Sequence, residues 1–269
     1  MSWWDEQDWI DPSQWVMSGI EVMGTTPGMC WVTNIVTKER GLFKPESRWR
    51  RSAYGEYGAS KIAAVLGISC AKVIVGELFG GGGCISFDVS RDSEYRILVG
   101  SDLYLCGGLL DLEQSQAGNL VYGDPEEMSF LGLRPYLPAN AEADMVKMMF
   151  FDCVTMNGGR HSDNYSFEVD ARYAIRGMLP LYDHGWCFQE HRFMGRGSSF
   201  PYFGRRGFLF EDLYSNIKRD YPELIATLVS KVRSDEFYAT TSKLEIYDFI
   251  TQRVDEFESL EQSPGFDIR

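Results

Sequence analysis

Between Ala141 and Met156 the chain reads Ala-Glu-Ala-Asp-Met-Val-Lys-Met-Met-Phe-Phe-Asp-Cys-Val-Thr-Met, a helical run with apolar residues over most of its circumference. Such a helix belongs inside a core, not on a surface. The Met145, Met148 and Met149 cluster is therefore read as core and not as a cofactor contact. A polar loop follows at once, and further helices are predicted at Phe210 to Lys218, Tyr221 to Val232 and Leu244 to Leu260.

The first part of the chain has a different texture. Gly19 to Val22, Cys30 to Val36 and Leu42 to Lys44 read as strands separated by a glycine-containing turn at Met23 to Gly28 and a charged turn at Lys38 to Gly41, which is the pattern of an antiparallel meander. Gly55 to Leu66 places Tyr57, Ile62, Val65 and Leu66 near one helical face, with Gly67 positioned to end the helix. Strands are predicted at Ala71 to Val75 and Cys84 to Val89, joined by a turn at Gly80 to Gly83. The stretch from Asp88 to about Ala139 reads as loops with short elements, so a hinge is placed near Phe87 to Asp92. The expected fold class is α+β: a β-rich lobe over residues 1–90 with one helix, and a larger, mainly helical lobe over 91–269.

At 269 residues, 44% hydrophobic and 14% aromatic, the chain can bury a sizeable core. Its 39 acidic residues against 26 basic ones give a net charge of −13, which repels phosphate backbones and anionic lipid heads, so no nucleic-acid or membrane partner is expected. Six scattered cysteines, with no Cys-x-x-Cys pair and no histidine at ligand spacing, read as buried thiols of a reducing compartment. An acidic N-terminus without a signal-peptide pattern adds to a cytoplasmic expectation.

The loop after the apolar helix is Asn157-Gly158-Gly159-Arg160-His161-Ser162-Asp163-Asn164, and Leu181-Tyr182-Asp183-His184-Gly185 comes some way downstream. This resembles HipA-like kinases, which carry an Asn-x-Asp-x-His-x-x-Asn loop and then a Tyr-Asp metal-binding element. The match falls on Asn157, His161 and Asn164, then on Tyr182 and Asp183, with Gly159 where the family has its catalytic aspartate. Gly41-Leu42-Phe43-Lys44-Pro45 and Tyr54-Gly55-Glu56 are similar to the family's strand lysine and helix glutamate, so the resemblance runs from about Gly19 to Gly185.

The resemblance implies a two-lobed protein-kinase-like fold and an ATP- and Mg²⁺-dependent serine/threonine protein kinase. Lys44 would then contact the phosphates, Glu56 would hold Lys44, Asn164 and Asp183 would be the Mg²⁺ ligands, and His161 would organise the loop. Each role has a physical reason, because phosphoryl transfer needs a cation on the phosphates, metal ions bridging oxygens and an acceptor for the nucleophile's proton. The plain alternatives are solvated charges for Lys44 and Glu56, and a turn Asn and a capping Asp for the other two. The turn holding Gly24, Thr25 and Gly28 offers backbone N–H groups to phosphate, although Pro27 removes one donor and an ordinary hairpin is an equal reading. His184 and His191 are expected to be loop or core residues.

Glycine accepts no proton, and losing a general base typically costs ~10²–10⁴-fold in rate, or about 3–5.5 kcal/mol. Three readings follow. Gly159 marks an impaired form of a working kinase, or a pseudokinase that binds nucleotide as a switch, or another carboxylate, Asp163 or Asp152, stands in. Further rivals are a regulatory partner-binding protein, a nucleotidyl transferase using the same cleft, and a globular domain without a nucleotide site. Relative to longer HipA-like proteins, no additional N-terminal DNA-associated subdomain is expected, so neither operator binding nor an antitoxin partner is carried over.

Overall fold

The computed structural model describes residues 5–21, 27–46, 52–90, 94–100, 130–160, 162–172, 174–188 and 210–260. Five strands, β1 (Trp15–Glu21), β2 (Cys30–Asn34), β3 (Arg40–Pro45), β4 (Val73–Leu78) and β5 (Gly81–Phe87), form an antiparallel sheet in the order β1-β2-β3-β5-β4. Helix α1 (Ser52–Leu66) interrupts the strand sequence and packs on the sheet. Gly67, with φ +70, ends it as the sequence suggested, and the following Ile68 N–H reaches back to the Ala63 carbonyl at 2.8 Å.

The two faces of the sheet go to different cores because successive side chains of a strand alternate. Ile10, Trp15, Cys30, Val32, Phe43, Ile74, Leu78 and Ile85 make a small cluster on one face. Val73, Val75 and Cys84 face the other way, into a large cluster that includes α1 and continues through the helical part of the molecule. Lys44 follows Phe43 and lies in register with Cys84, so it emerges on the α1 side. Alternation alone thus turns Lys44 towards the helix.

Several element boundaries differ from the sequence expectation. β1 begins at Trp15, because that indole is buried in the small cluster. The tetraglycine run is not one turn: Phe79 and Gly80, with φ 56 and 82, make a two-residue hairpin turn, and Gly81 to Gly83 belong to β5. Gly83 lies against the Lys44 carbonyl and Pro45, where any Cβ would collide. The segment before β1 covers the free edge of β4, with the Ile10 N–H on the Val75 carbonyl at 2.8 Å.

A second antiparallel sheet, β6 (Arg96–Val99), β7 (Ser166–Val169) and β8 (Ile175–Met178), was not foreseen, since four-residue strands carry little periodicity. The helices are α2 (Phe130–Leu133), α3 (Ala139–Thr155), α4 (Phe210–Asp220), α5 (Pro222–Val232), α6 (Asp235–Thr241) and α7 (Tyr247–Ser259). α3 is the expected core helix; Met145, Val146, Met148, Met149, Phe150, Phe151, Cys153 and Val154 are all fully buried. The helix expected over Leu244 to Leu260 starts later, because Glu245 takes a left-handed φ of 57 while Leu244 and Ile246 on either side are buried. Short α6, capped by the Ser234 hydroxyl accepting from the Phe237 N–H, was also unforeseen. Among the described residues no helix is long and apolar enough to cross a membrane.

Candidate functional site

The Lys44 ammonium, on β3, is paired with Glu56 Oε1 on α1 and lies 2.9 Å from Asp183 Oδ1 in the segment after β8. The Lys44 and Glu56 side chains are 10% and 1% exposed, whereas Asp183 is 39% exposed and faces solvent. Burial alone would lower the Lys44 pKa, but the Glu56 and then the Asp183 carboxylate outweigh it and the ammonium is held charged, above its ordinary value. Burial works to raise the Asp183 carboxyl, but Lys44 outweighs it and holds the group down to about 2. Among the described residues Glu56 Oε2 is buried with no hydrogen-bond partner.

α1 is pressed onto the segment that carries Asp183. A Cβ on Gly55 would come within 2.8 Å of the His184 carbonyl oxygen, and one on Gly58 within 2.9 Å of the Phe188 ring. On its other side α1 is tied to the start of the chain, where the Tyr57 hydroxyl donates to Asp8 Oδ2 at 2.9 Å and Lys61 pairs with Asp8 and Asp5 at 2.6 and 3.2 Å. Gly55→Ala is expected to push the helix off the 184–188 backbone, at ~1–3 kcal/mol for overpacking, and to loosen the Lys44–Glu56–Asp183 contact. Thermal unfolding with and without nucleotide checks this.

Arg160 organises the loop after α3. It is fully buried, and donates from Nε to Asp152 Oδ2 at 2.9 Å and from Nη2 to Asp152 Oδ1 at 3.1 Å. Its Nη1 donates to the carbonyls of both Asn164, at 2.5 Å, and Tyr182, at 2.9 Å, so one guanidinium holds the Asn164 backbone beside the backbone preceding Asp183. Nη2 also lies 3.3 Å from His184 Nδ1. Arginine can only donate, so Nδ1 accepts and the neutral ring carries its proton on Nε2, which faces Cys70 Sγ at 3.4 Å. Burial, reinforced by Arg160 and Lys44, keeps this imidazole well below its usual pKa.

Asn157 Nδ2 donates to Asp152 Oδ1 at 3.0 Å and its Oδ1 accepts from the Gly159 N–H at 3.2 Å. Asn164 Nδ2 donates to the Gly159 carbonyl at 2.9 Å, which fixes Oδ1 as the acceptor end of the amide. Asn164 and Asp183 thus offer hard oxygens on neighbouring backbones, a donor set that suits Mg²⁺ completed by phosphates and water. Among the described residues no group of three or more His, Cys, Asp and Glu is placed to hold a metal without such help.

The remaining expected residues fare differently. Gly24, Thr25 and His161 lie outside the described residues, as does His191. Gly28, with φ +84, is exposed in the turn before β2 and close to the Pro45 ring. Asp163 is exposed, and its backbone carbonyl accepts from the Tyr182 hydroxyl at 3.1 Å. Asp152 is fully buried and committed to Arg160 and Asn157, so it has no access to an acceptor arriving from solvent. Arg160 itself was missed as a site residue. An acid inside the otherwise unbroken apolar run Met148 to Val154 demands a buried cation, and Asp152 was that signal.

No family model matches the sequence, and no curated protein matches it. The architecture is nonetheless that of the protein-kinase-like fold: an antiparallel five-stranded sheet with a helix bearing a lysine-paired glutamate, joined to a helical part. Among solved structures the chain is similar to the Helicobacter pylori proinflammatory kinase CtkA, with 14% identity and a TM-score of 0.53, covering 89% of this chain and 90% of that one. It is also similar to HipA of Shewanella oneidensis MR-1, solved with HipB and operator DNA, with 14% identity and a TM-score of 0.55, covering 93% of this chain and 71% of that one. At such identities the likeness is one of fold.

Proposed function

We propose that this chain binds ATP with Mg²⁺ on a HipA-type serine/threonine kinase scaffold, and that Gly159 leaves it impaired in phosphoryl transfer. The observation that carries this reading is the buried Lys44 ammonium held between Glu56 and the solvent-facing Asp183. In this reading residues 1–90 form the nucleotide-binding lobe and residues 91–269 the helical catalytic lobe. Glu56 keeps Lys44 charged and aimed, Lys44 offers its remaining ammonium proton to the phosphates, and Asn164 Oδ1 and Asp183 hold the metal. Mg²⁺, when bound, supplies charge neutralisation on the phosphate oxygens. Gly28, with Gly24 and Thr25 of the same sequence stretch, would lend backbone N–H groups to the phosphates, and His161 would organise the loop. The buried thiols Cys84, Cys153 and Cys187 suit a reducing compartment such as the cytoplasm. The fold likeness to HipA is no reason to carry HipB or operator DNA over to this chain.

A second reading, a nucleotide-binding pseudokinase that acts through a protein partner, is favoured by the indole that lies against Gly159. Calorimetric titration of ATP separates both readings from a domain without a nucleotide site. Binding is expected with Mg²⁺, weakened at least tenfold without it or in Asp183→Asn; no heat of binding under any condition rejects the proposal.

A further inference from the structure

We infer that Trp186 seals the position of the missing base, so that the cleft excludes a hydroxyl nucleophile and Gly159 and Trp186 act as a matched pair. This rests on the nucleotide-binding reading above. A Cβ built on Gly159 would lie 2.5 Å from Trp186 Cδ1, 3.0 Å from Cγ and 3.3 Å from Nε1. The neighbouring Gly158 meets nothing within 4 Å, so the crowding is confined to one position. Gly159 is not among the residues with positive φ, so no left-handed backbone reserves the position for glycine. What keeps this position bare is the indole.

Spinning the ring about χ2 moves Cδ1 but leaves Cγ, the atom by which the ring is attached, at 3.0 Å, so a full clearance needs a change of χ1. Nor is the backbone around Trp186 free to withdraw. The Cys187 N–H donates to the His184 carbonyl at 3.0 Å, and the Phe188 N–H to the Thr155 carbonyl at the end of α3 at 2.8 Å. His184 is held by Arg160, and the same segment is pressed onto α1 at Gly55. The indole N–H is a donor with no acceptor lone pair, so it cannot take the proton that a carboxylate would. An aspartate at 159 would then share its space with a ring that must change χ1 to make way.

The pairing predicts how function is regained. With Asp at 159 and the indole removed, the carboxylate takes the hydroxyl proton of a serine or threonine, the hydroxyl oxygen bonds the γ-phosphorus, and the bond to the β–γ bridging oxygen breaks to release ADP. Four proteins are compared: the chain as it stands, Gly159→Asp, Trp186→Ala and the double variant. Mg²⁺-ATP binding is measured by calorimetry, and phosphate transfer to a generic protein substrate by intact mass and ADP release. ATP binding by the parent with transfer at least tenfold higher in the double variant than in Gly159→Asp supports the pairing. Equal transfer by Gly159→Asp and the double variant, or none by the double variant although it binds ATP, overturns it. Failure of the parent to bind ATP instead rejects the nucleotide-binding reading.

A steric readout stands apart from activity. Gly159→Ala should lower the Tm by about 3 °C or more in the parent and by less than half of that in the Trp186→Ala background. Equal losses in the two backgrounds overturn the inference even if every variant is inert.

Discussion

Arg160→Met should lower the free energy of unfolding by about 3–5 kcal/mol, the loss expected when one partner of a buried ion pair is removed and the other charge stays behind. Asp152 would then remain fully buried without its cation, and the carbonyls of Asn164 and Tyr182 and the ring of His184 would lose their shared donor. Lysine is no substitute, because a single ammonium cannot reach Asp152 through two nitrogens and two carbonyls through a third. Urea unfolding of Arg160→Met and Arg160→Lys should therefore show both strongly destabilised, with methionine the worse. A loss below 1 kcal/mol for methionine would mean that the guanidinium is not the support of this loop.

Lys44→Met is expected to abolish Mg²⁺-ATP binding and to cost about 3–5 kcal/mol by the same physics, since Glu56 is left buried without its cation. Asp183 can turn to water because its side chain is 39% exposed, but Glu56 cannot. The double variant Lys44→Met, Glu56→Leu should therefore recover most of the stability while still failing to bind nucleotide. Thermal unfolding read beside calorimetric titration separates the two effects. If Lys44→Met unfolds at the parent's temperature, the ammonium contributes nothing to holding α1 against the sheet.

The strands near Lys44 and the apolar run of α3 were legible because both are periodic over enough residues to leave a pattern. Lys44 and Glu56 could be connected from the sequence because their flanking residues are similar to the strand lysine and helix glutamate of HipA-like kinases, and a lysine on a strand needs an anionic neighbour such as one on the next helix. The three short strands β6, β7 and β8 could not, because four residues show neither alternation nor a buried face, and β6 pairs with a strand on the far side of α3. Asp163 and Asp152 illustrate a second limit. Proximity in sequence suggested both as stand-in bases, but one is exposed and the other is locked to Arg160, and only the fold separates those two outcomes. Trp186 was invisible for the opposite reason, since nothing in a Gly-Trp-Cys stretch says that its ring will lie over a glycine of another loop.

The contact between Lys44 and Asp183 closes a loop of 139 residues, and the hydrogen bond from the Tyr54 hydroxyl to the Leu244 carbonyl closes one of 190. Closing loops of that length carries an entropic cost that no local interaction offsets, so such contacts form once most of the chain is in place. A growing chain can bring Lys44 and Glu56 together early, whereas the carboxylate on the other side of the ammonium follows α3, β7 and β8 in the chain. The cleft is in this sense self-timed: a growing chain that ends before residue 183 has only Glu56 to set against Lys44, and gains the second carboxylate once the segment after β8 is made.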